Sequence, residues 1–194
     1  MSEQTAYLGL GSNLDSQYGS PAQTLRAALA RLEKPGEGLG RITACSSFYE
    51  TDPVGNRSQP LFVNAAAALK TTLEPVELLH ELLKIEREFG RRREDARPPS
   101  ISKGPRTLDL DLLLVDDIEL NLPGLTLPHA ALAKRRFVLA PLAEIAPELR
   151  PPRLDSSVAE LLARLPDEGE NRIAAVRVLA ARAHAPLRHF TAKP

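Results

Sequence analysis

Thr107-Leu108-Asp109-Leu110-Asp111-Leu112-Leu113-Leu114 alternates leucine with a second residue, and twice that residue is aspartate. Side chains along a strand point to opposite faces in turn. The stretch therefore reads as a strand with Leu108, Leu110, Leu112 and Leu114 on one face and Asp109 and Asp111 together on the other. Two carboxylates at i, i+2 repel each other unless a cation lies between them. Magnesium takes one or two carboxylates and completes its shell with phosphate and water. An edge strand with a solvated acidic face meets the same pattern, so the pair alone leaves both readings open.

The flanks add charge. From position 91 to 106 the chain holds six Lys/Arg against two Asp/Glu, whereas 109 to 119 holds five acids and no base. Arg91-Arg92-Arg93 opens this polar segment and Gly104-Pro105-Arg106 closes it. A cationic segment beside two carboxylates suits a magnesium–polyphosphate ligand, with metal on oxygen and phosphate on guanidinium forks. A solvated loop or an RNA contact are the other readings, and the segment has no aromatic residue to stack a base. Leu127-Pro128-His129 and Lys134-Arg135-Arg136-Phe137 add a histidine and further cations. Gly9-Leu10-Gly11-Ser12-Asn13 lacks the third glycine of a dinucleotide loop and the Gly-Lys-Ser/Thr of a P-loop. It reads as a tight turn that lets other backbone approach.

Periodicity places the rest. Ala6 to Leu10 predicts a buried strand, and Thr24 to Lys34 an amphipathic helix stopped by Pro35-Gly36. Ile42 to Thr51 and Leu61 to Thr72 are β-rich and predicted to pair across the loop 52–60. Pro75 to Phe89 predicts a second helix ended by Gly90. Ile118 to Leu122 is expected to partner the aspartate strand across Asp116-Asp117, and Phe137 to Ile145 to be helical. The order βαββαβ predicts an α/β (α+β) ferredoxin-like sandwich, an antiparallel sheet with helices packed on one face. Residues 1–150 form the expected catalytic domain and 151–194 a C-terminal extension. In the extension Val158 to Leu165 is helical by pattern, and Ile173 to Ala183 fits helix or strand.

Composition narrows the class. The 194 residues carry zero formal net charge, 43% hydrophobic and 26% charged residues, which excludes wholesale disorder and argues against a global nucleic-acid or membrane binder. No apolar run approaches the roughly 20 residues that span a bilayer. The single cysteine excludes internal disulfides and fits the cytoplasm, and Met1 to Thr5 do not resemble a signal peptide.

Gly104-Pro-Arg-Thr-Leu-Asp-Leu-Asp-Leu-Leu resembles the signature of the 6-hydroxymethyl-7,8-dihydropterin pyrophosphokinase family of the folate pathway. The resemblance runs from Tyr7-Leu-Gly-Leu-Gly-Ser-Asn-Leu through Ser46-Ser-Phe-Tyr-Glu-Thr, Gln59-Pro-Leu-Phe-Val-Asn-Ala and Leu127-Pro-His to Ala140-Pro-Leu-Ala-Glu-Ile-Ala-Pro, about residues 5 to 150. It implies the same ferredoxin-like sandwich. It also implies transfer of the pyrophosphoryl group of ATP to the pterin hydroxymethyl oxygen with release of AMP. By that resemblance Asp109 and Asp111 hold two magnesium ions, and Arg91, Arg93 and Arg106 meet phosphate or close a lid over 91–106. Glu86, Leu112, Thr126, His129 and Arg135 contact ATP, with Arg106 shared. Thr51, Val54, Phe62, Asn64 and Phe137 bind the pterin, Asn64 reading its polar edge and the two phenylalanines sandwiching it. A cytoplasmic monomer without nucleic-acid or membrane partners is expected, its lid mobile without ligand.

The sequence departs from the family pattern in places. Ser102-Lys103 stands where the lid often has Arg-Trp, Arg97-Pro98-Pro99-Ser100 reads as an insertion, Phe62 replaces a tyrosine of some members, and Asp52 a proline. Two rivals remain open at this stage, a non-catalytic ATP- or pterin-binding relative and a ferredoxin-like RNA-binding module.

Overall fold

A computed structural model of the chain describes residues 2–54, 58–91 and 104–166, and the backbone of 175–179. In chain order the elements are Gln4–Ser12 (β1), Pro21–Leu32 (α1), Arg41–Cys45 (β2), Phe48–Thr51 (β3), Phe62–Thr71 (β4) and Pro75–Glu88 (α2). Asp109–Val115 (β5), Leu120–Leu122 (β6), Leu125–Leu127 (β7), Arg136–Ile145 (α3), Val158–Arg164 (α4) and Ala175–Leu179 (β8) follow. The main sheet runs β5-β1-β4-β3-β8 with β2 also on β4, and every pairing is antiparallel.

Alternation along the strands feeds two separate cores. Leu8 and Leu10 of β1, Val63, Ala65 and Ala67 of β4, and Leu108, Leu110 and Leu112 pack with Leu25, Leu32, Leu78, Leu82 and Ile85 of α1 and α2. Full burial of each such leucine is worth about 1.5–3 kcal/mol, which makes this face the larger source of stability. The opposite face is covered as well. Ala66, Leu113 and Leu114 pack with Val138, Leu139 and Leu142 of α3 and Val158 of α4, so the expected sandwich gains a further helical layer. Glu144 near the end of α3 accepts from the Ser47 N–H at 2.9 Å, the Ser47 hydroxyl and the Tyr49 hydroxyl at 2.8 Å, which fixes α3 to the β2–β3 junction.

Four local expectations change. The β1–β5 register slips between Tyr7 and Leu8, so Tyr7 opposes Leu114 while Leu8 opposes Leu112. That bulge turns Leu114 away from Leu108, Leu110 and Leu112 and into the α3 core. Ile118 to Leu122 does not pair with β5, because β6 pairs with β7 in a small separate sheet. Its turn is Pro123-Gly124, with Gly124 at φ +85 where a side chain is disfavoured. The β-rich run 42–51 breaks at Ser46, whose hydroxyl takes the Ala66 N–H at 2.9 Å in place of a strand neighbour. Gly11 and Ser12 belong to β1 and pair with Asn64 and Val63, so the predicted turn starts later. In the extension, 175–179 is a strand against β3.

Candidate active site

α3 covers only part of its face of the sheet. Where β1, β4 and β5 run out beyond the start of α3, a cavity of about 330 Å³ opens. The acids enter it from β5. Gly9 lies opposite Asp111 and Gly11 opposite Asp109 in the ladder, and a Cβ on Gly9 would lie 3.7 Å from that of Asp111. The glycines leave the floor bare, so the carboxylates stand beside open space instead of a side chain.

Asp109 is enclosed by guanidinium. Its Oδ1 accepts from Arg91 Nη1, and its Oδ2 accepts from Arg106 Nη1 at 2.7 Å. Glu86, 1% exposed on α2, accepts from the same Arg91 Nη1 and from the Leu110 N–H at 2.9 Å. Burial works against the Arg91 charge, yet Asp109 and Glu86 outweigh it and hold the guanidinium above its ordinary pKa. No described residue hydrogen-bonds or ion-pairs with the Asp111 carboxylate. Burial first, then the Asp109 charge, push its carboxyl up to about 7 against the pull of Arg135. A desolvated carboxylate of this kind, beside a second one on the same face, fits a hard divalent cation whose remaining ligands come from phosphate and water. Among the described residues no cluster of three or more His, Cys, Asp or Glu offers a closed protein cage.

Across Gly11 from Asp109, Asn64, 7% exposed, donates through Nδ2 to the Thr51 hydroxyl at 2.7 Å. That bond fixes the amide plane and leaves Oδ1 and the second Nδ2 hydrogen available. Phe62 of β4 and Phe137 of α3 supply ring faces, each approached by a guanidinium: Arg106 at 5.6 Å from the Phe62 centroid and Arg135 at 5.7 Å from that of Phe137. The backbone N–H of His129 donates to the Leu113 carbonyl at 2.7 Å, and the ring Nδ1 accepts from the Ala131 N–H at 3.1 Å. Burial and then Arg135 lower its pKa, so the ring is neutral at pH 7 and carries its proton on Nε2.

The cavity thus gathers Arg91, Arg106, Asp109, Asp111, His129 and Arg135, together with Thr51, Val54, Phe62, Asn64 and Phe137. Three residues expected to contact ATP do not line it. Glu86 lies behind Arg91, Leu112 points into the α1/α2 core, and Thr126 is exposed on β7 with its hydroxyl 3.5 Å from Asn121 Oδ1. Arg93 and the lid residues 92–103, including the 97–100 insertion and Ser102-Lys103, lie outside the described residues.

The sequence reads Gly9 and Gly11 as a turn and not as the floor of the site, although glycine at every second position of a strand was a usable signal. Asn13 too is read only as part of that turn. This side chain donates to the Pro60 carbonyl at 3.1 Å and accepts the Arg106 N–H at 2.8 Å, so it ties the loop leading into β4 to the arginine beside Asp109.

The sequence pattern of the 7,8-dihydro-6-hydroxymethylpterin-pyrophosphokinase family matches residues 7–147. The chain belongs to this family. It is 45% identical over 170 residues to the 2-amino-4-hydroxy-6-hydroxymethyldihydropteridine pyrophosphokinase of Pseudomonas aeruginosa, covering 88% of this chain and 97% of that one. The enzyme of the same name from Haemophilus influenzae is 39% identical over 163 residues, 84% of this chain and 94% of its own. A folic acid synthesis protein of Schizosaccharomyces pombe is 37% identical over 164 residues, 84% of this chain and 21% of that one. The fold is that of the pyrophosphokinase part of wild-type Plasmodium falciparum HPPK-DHPS, at a TM-score of 0.63 and 17% identity. That match covers 84% of this chain and 43% of the Plasmodium chain. The chain is thus an ATP-dependent pyrophosphokinase of folate biosynthesis.

Proposed function

We propose that the 330 Å³ cavity is where this pyrophosphokinase joins ATP to 6-hydroxymethyl-7,8-dihydropterin. The observation that carries the reading is that one cavity joins two chemistries. Paired acids with arginines line it together with an oriented amide and two aromatic rings. The first set suits a charged triphosphate and the second a flat, hydrogen-bonding heterocycle.

In this reading Asn64 Oδ1 meets a donor on the pterin edge, Thr51 holds the amide in that orientation, and Phe62 and Phe137 flank the ring, with Val54 at its margin. Arg91, Arg106, Arg135 and the Nε2–H of His129 take phosphate oxygens, joined by Arg93 from the lid. The hydroxymethyl oxygen bonds to the β-phosphorus of ATP, the bond from that phosphorus to the α,β-bridging oxygen breaks, and AMP leaves as the hydroxyl proton is lost. Phosphoryl transfer of this kind depends on positioning and charge neutralisation more than on covalent help from side chains. Asp109 and Asp111 would hold magnesium, two ions with ATP, which supplies charge neutralisation at the phosphates and lowers the pKa of the attacking hydroxyl.

The proposed division keeps catalysis within residues 1–150, where every cavity-lining residue lies, and treats 151–194 as an extension. The reading extends to a cytoplasmic monomer without nucleic-acid or membrane partners. Zero net charge and one cysteine support it, and no helix among the described residues is long and apolar enough to cross a membrane.

The test measures AMP from ATP and magnesium, with and without the pterin, in wild type and in Asp109→Asn/Asp111→Asn. AMP that requires the pterin and disappears in the double variant is expected. Pterin-dependent ADP instead of AMP would place the attack on the wrong phosphorus and overturn the mechanism.

A further inference from the structure

The two acids are not equivalent. Both oxygens of Asp109 are engaged by guanidinium, Oδ1 by Arg91 and Oδ2 by Arg106 at 2.7 Å, and Glu86 holds Arg91 in place from behind. The Asp111 carboxylate has no hydrogen bond or ion pair to any described residue. Asp109, engaged in this way, is a poor metal ligand for two reasons. Its lone pairs are already directed at N–H donors, and the cations that own those donors repel a further cation.

We propose that Arg91 and Arg106 stopper Asp109 and are exchanged for metal only when a triphosphate arrives to receive them. Asp111 is then the standing ligand and Asp109 a conditional one. A guanidinium leaving Asp109 finds equivalent acceptor oxygens on phosphate, so the exchange keeps every charge paired while the site changes occupant. Without nucleotide, an arginine that left Asp109 would strand a partly buried carboxylate, which opposes release. The arrangement couples metal and nucleotide binding reciprocally. The proposal rests on the magnesium reading of Asp109 and Asp111 given above.

The probe is manganese(II) alone, titrated into the full chain and followed by the electron-paramagnetic signal of the free ion, then repeated with α,β-methylene-ATP. Wild type should bind manganese weakly alone and much more tightly with the analogue. Arg91→Gln and Arg106→Gln should each tighten nucleotide-free binding by about tenfold and shrink the analogue's enhancement. Arg135→Gln removes the same charge from the cavity without touching Asp109, and should tighten binding distinctly less. Equal gains in all three variants would reduce the effect to general electrostatics and overturn the exchange, as would no gain at Arg91 and Arg106. Asp111→Asn separates the two levels. If it leaves manganese binding with the analogue intact, the magnesium reading itself falls. If it abolishes that binding while the arginine variants change nothing, only the exchange falls. Arg106→Gln, with its main chain anchored to Asn13, carries the test alone where Arg91→Gln does not fold.

Discussion

Gly11 and Asn64 oppose each other in the β1–β4 ladder, and a methyl group on Gly11 would sit 3.1 Å from Asn64 Oδ1. That oxygen is held in place because one Nδ2 hydrogen is committed to Thr51. Gly11→Ala should therefore push the amide aside while meeting the Asp109 Cβ only at an ordinary contact distance of 3.7 Å. The expected result is about a tenfold rise in KM for the pterin with little change in KM for ATP. Steady-state kinetics with each substrate varied in turn would check it, and parallel rises in both constants would refute it.

Asp111 predicts a stability cost that function imposes. Its folded pKa, about 7, lies above the ordinary aspartate value of 3.8. An acid shifted upward favours folding while it is protonated, and that advantage is lost as pH rises from near 4 through 7. Asp111→Asn should then melt a few degrees above wild type at pH 8 in the absence of metal, with the gap closing towards pH 4. Thermal melts across that range in chelator are the measurement. A variant less stable than wild type at pH 8 would count against the argument.

Glu86 is buried at 1% exposure and joins the Arg91 guanidinium to the Leu110 N–H. Glu86→Gln leaves the arginine charge without its partner behind Asp109, at a cost of about 3 kcal/mol or more in denaturant unfolding. If Glu86 acts through Arg91 and not on ATP, kcat should fall more than KM for ATP rises. The reverse split would place its carboxylate on the nucleotide.

Glu144 predicts an effect at a distance. It receives the Ser47 hydroxyl, the Ser47 N–H and the Tyr49 hydroxyl, and so sets where α3 and its Phe137 sit over the sheet. Glu144→Ala should lower stability by about 1–2 kcal/mol and raise KM for the pterin several-fold, although Glu144 does not line the cavity. Unchanged pterin affinity in a folded variant would show that Phe137 holds its place without the clamp.

Cys45 predicts chemical inertness. Burial, with Glu144 and Glu33 adding to it, pushes the thiol up to about 11. The thiolate is the reactive form, so at pH 8 the folded protein should react with Ellman's reagent about a hundredfold more slowly than in denaturant. Comparable rates in both states would show that the thiol is not held neutral.

What the sequence could show depended on how local the cause was. Asp109 and Asp111 share a face because alternation is a property of one strand, and the pairing of 42–51 with 61–72 follows from two adjacent β-rich runs around a turn. Leu114 escaped the same logic, since the bulge arises between β1 and β5 and neither segment encodes it alone. The break at Ser46 likewise depends on the Ala66 N–H, 20 positions away. Pro123-Gly124 was a legible turn signal that an expected pairing with β5 obscured. At the site, residue types in the Asp109 and His129 motifs pointed to the cavity, but which arginine touches which acid is set by α2 and the loop holding Asn13. Thr126, Leu112 and Glu86 matched the family by position, and position alone did not bring their side chains to the cavity wall.

The two-sided use of β5 also bears on which mutations the gene can accumulate. Leu108, Leu110 and Leu112 face one compartment while Asp109 and Asp111 face another, so point changes on one side leave the other side's chemistry in place. A single-codon insertion or deletion before Asp109 has no such privacy. It would rotate leucines into the cavity and carboxylates into hydrocarbon at one stroke, losing stability and catalysis together. Length in this segment should accordingly be far more rigid than residue identity, with any tolerated insertion falling in a connecting loop.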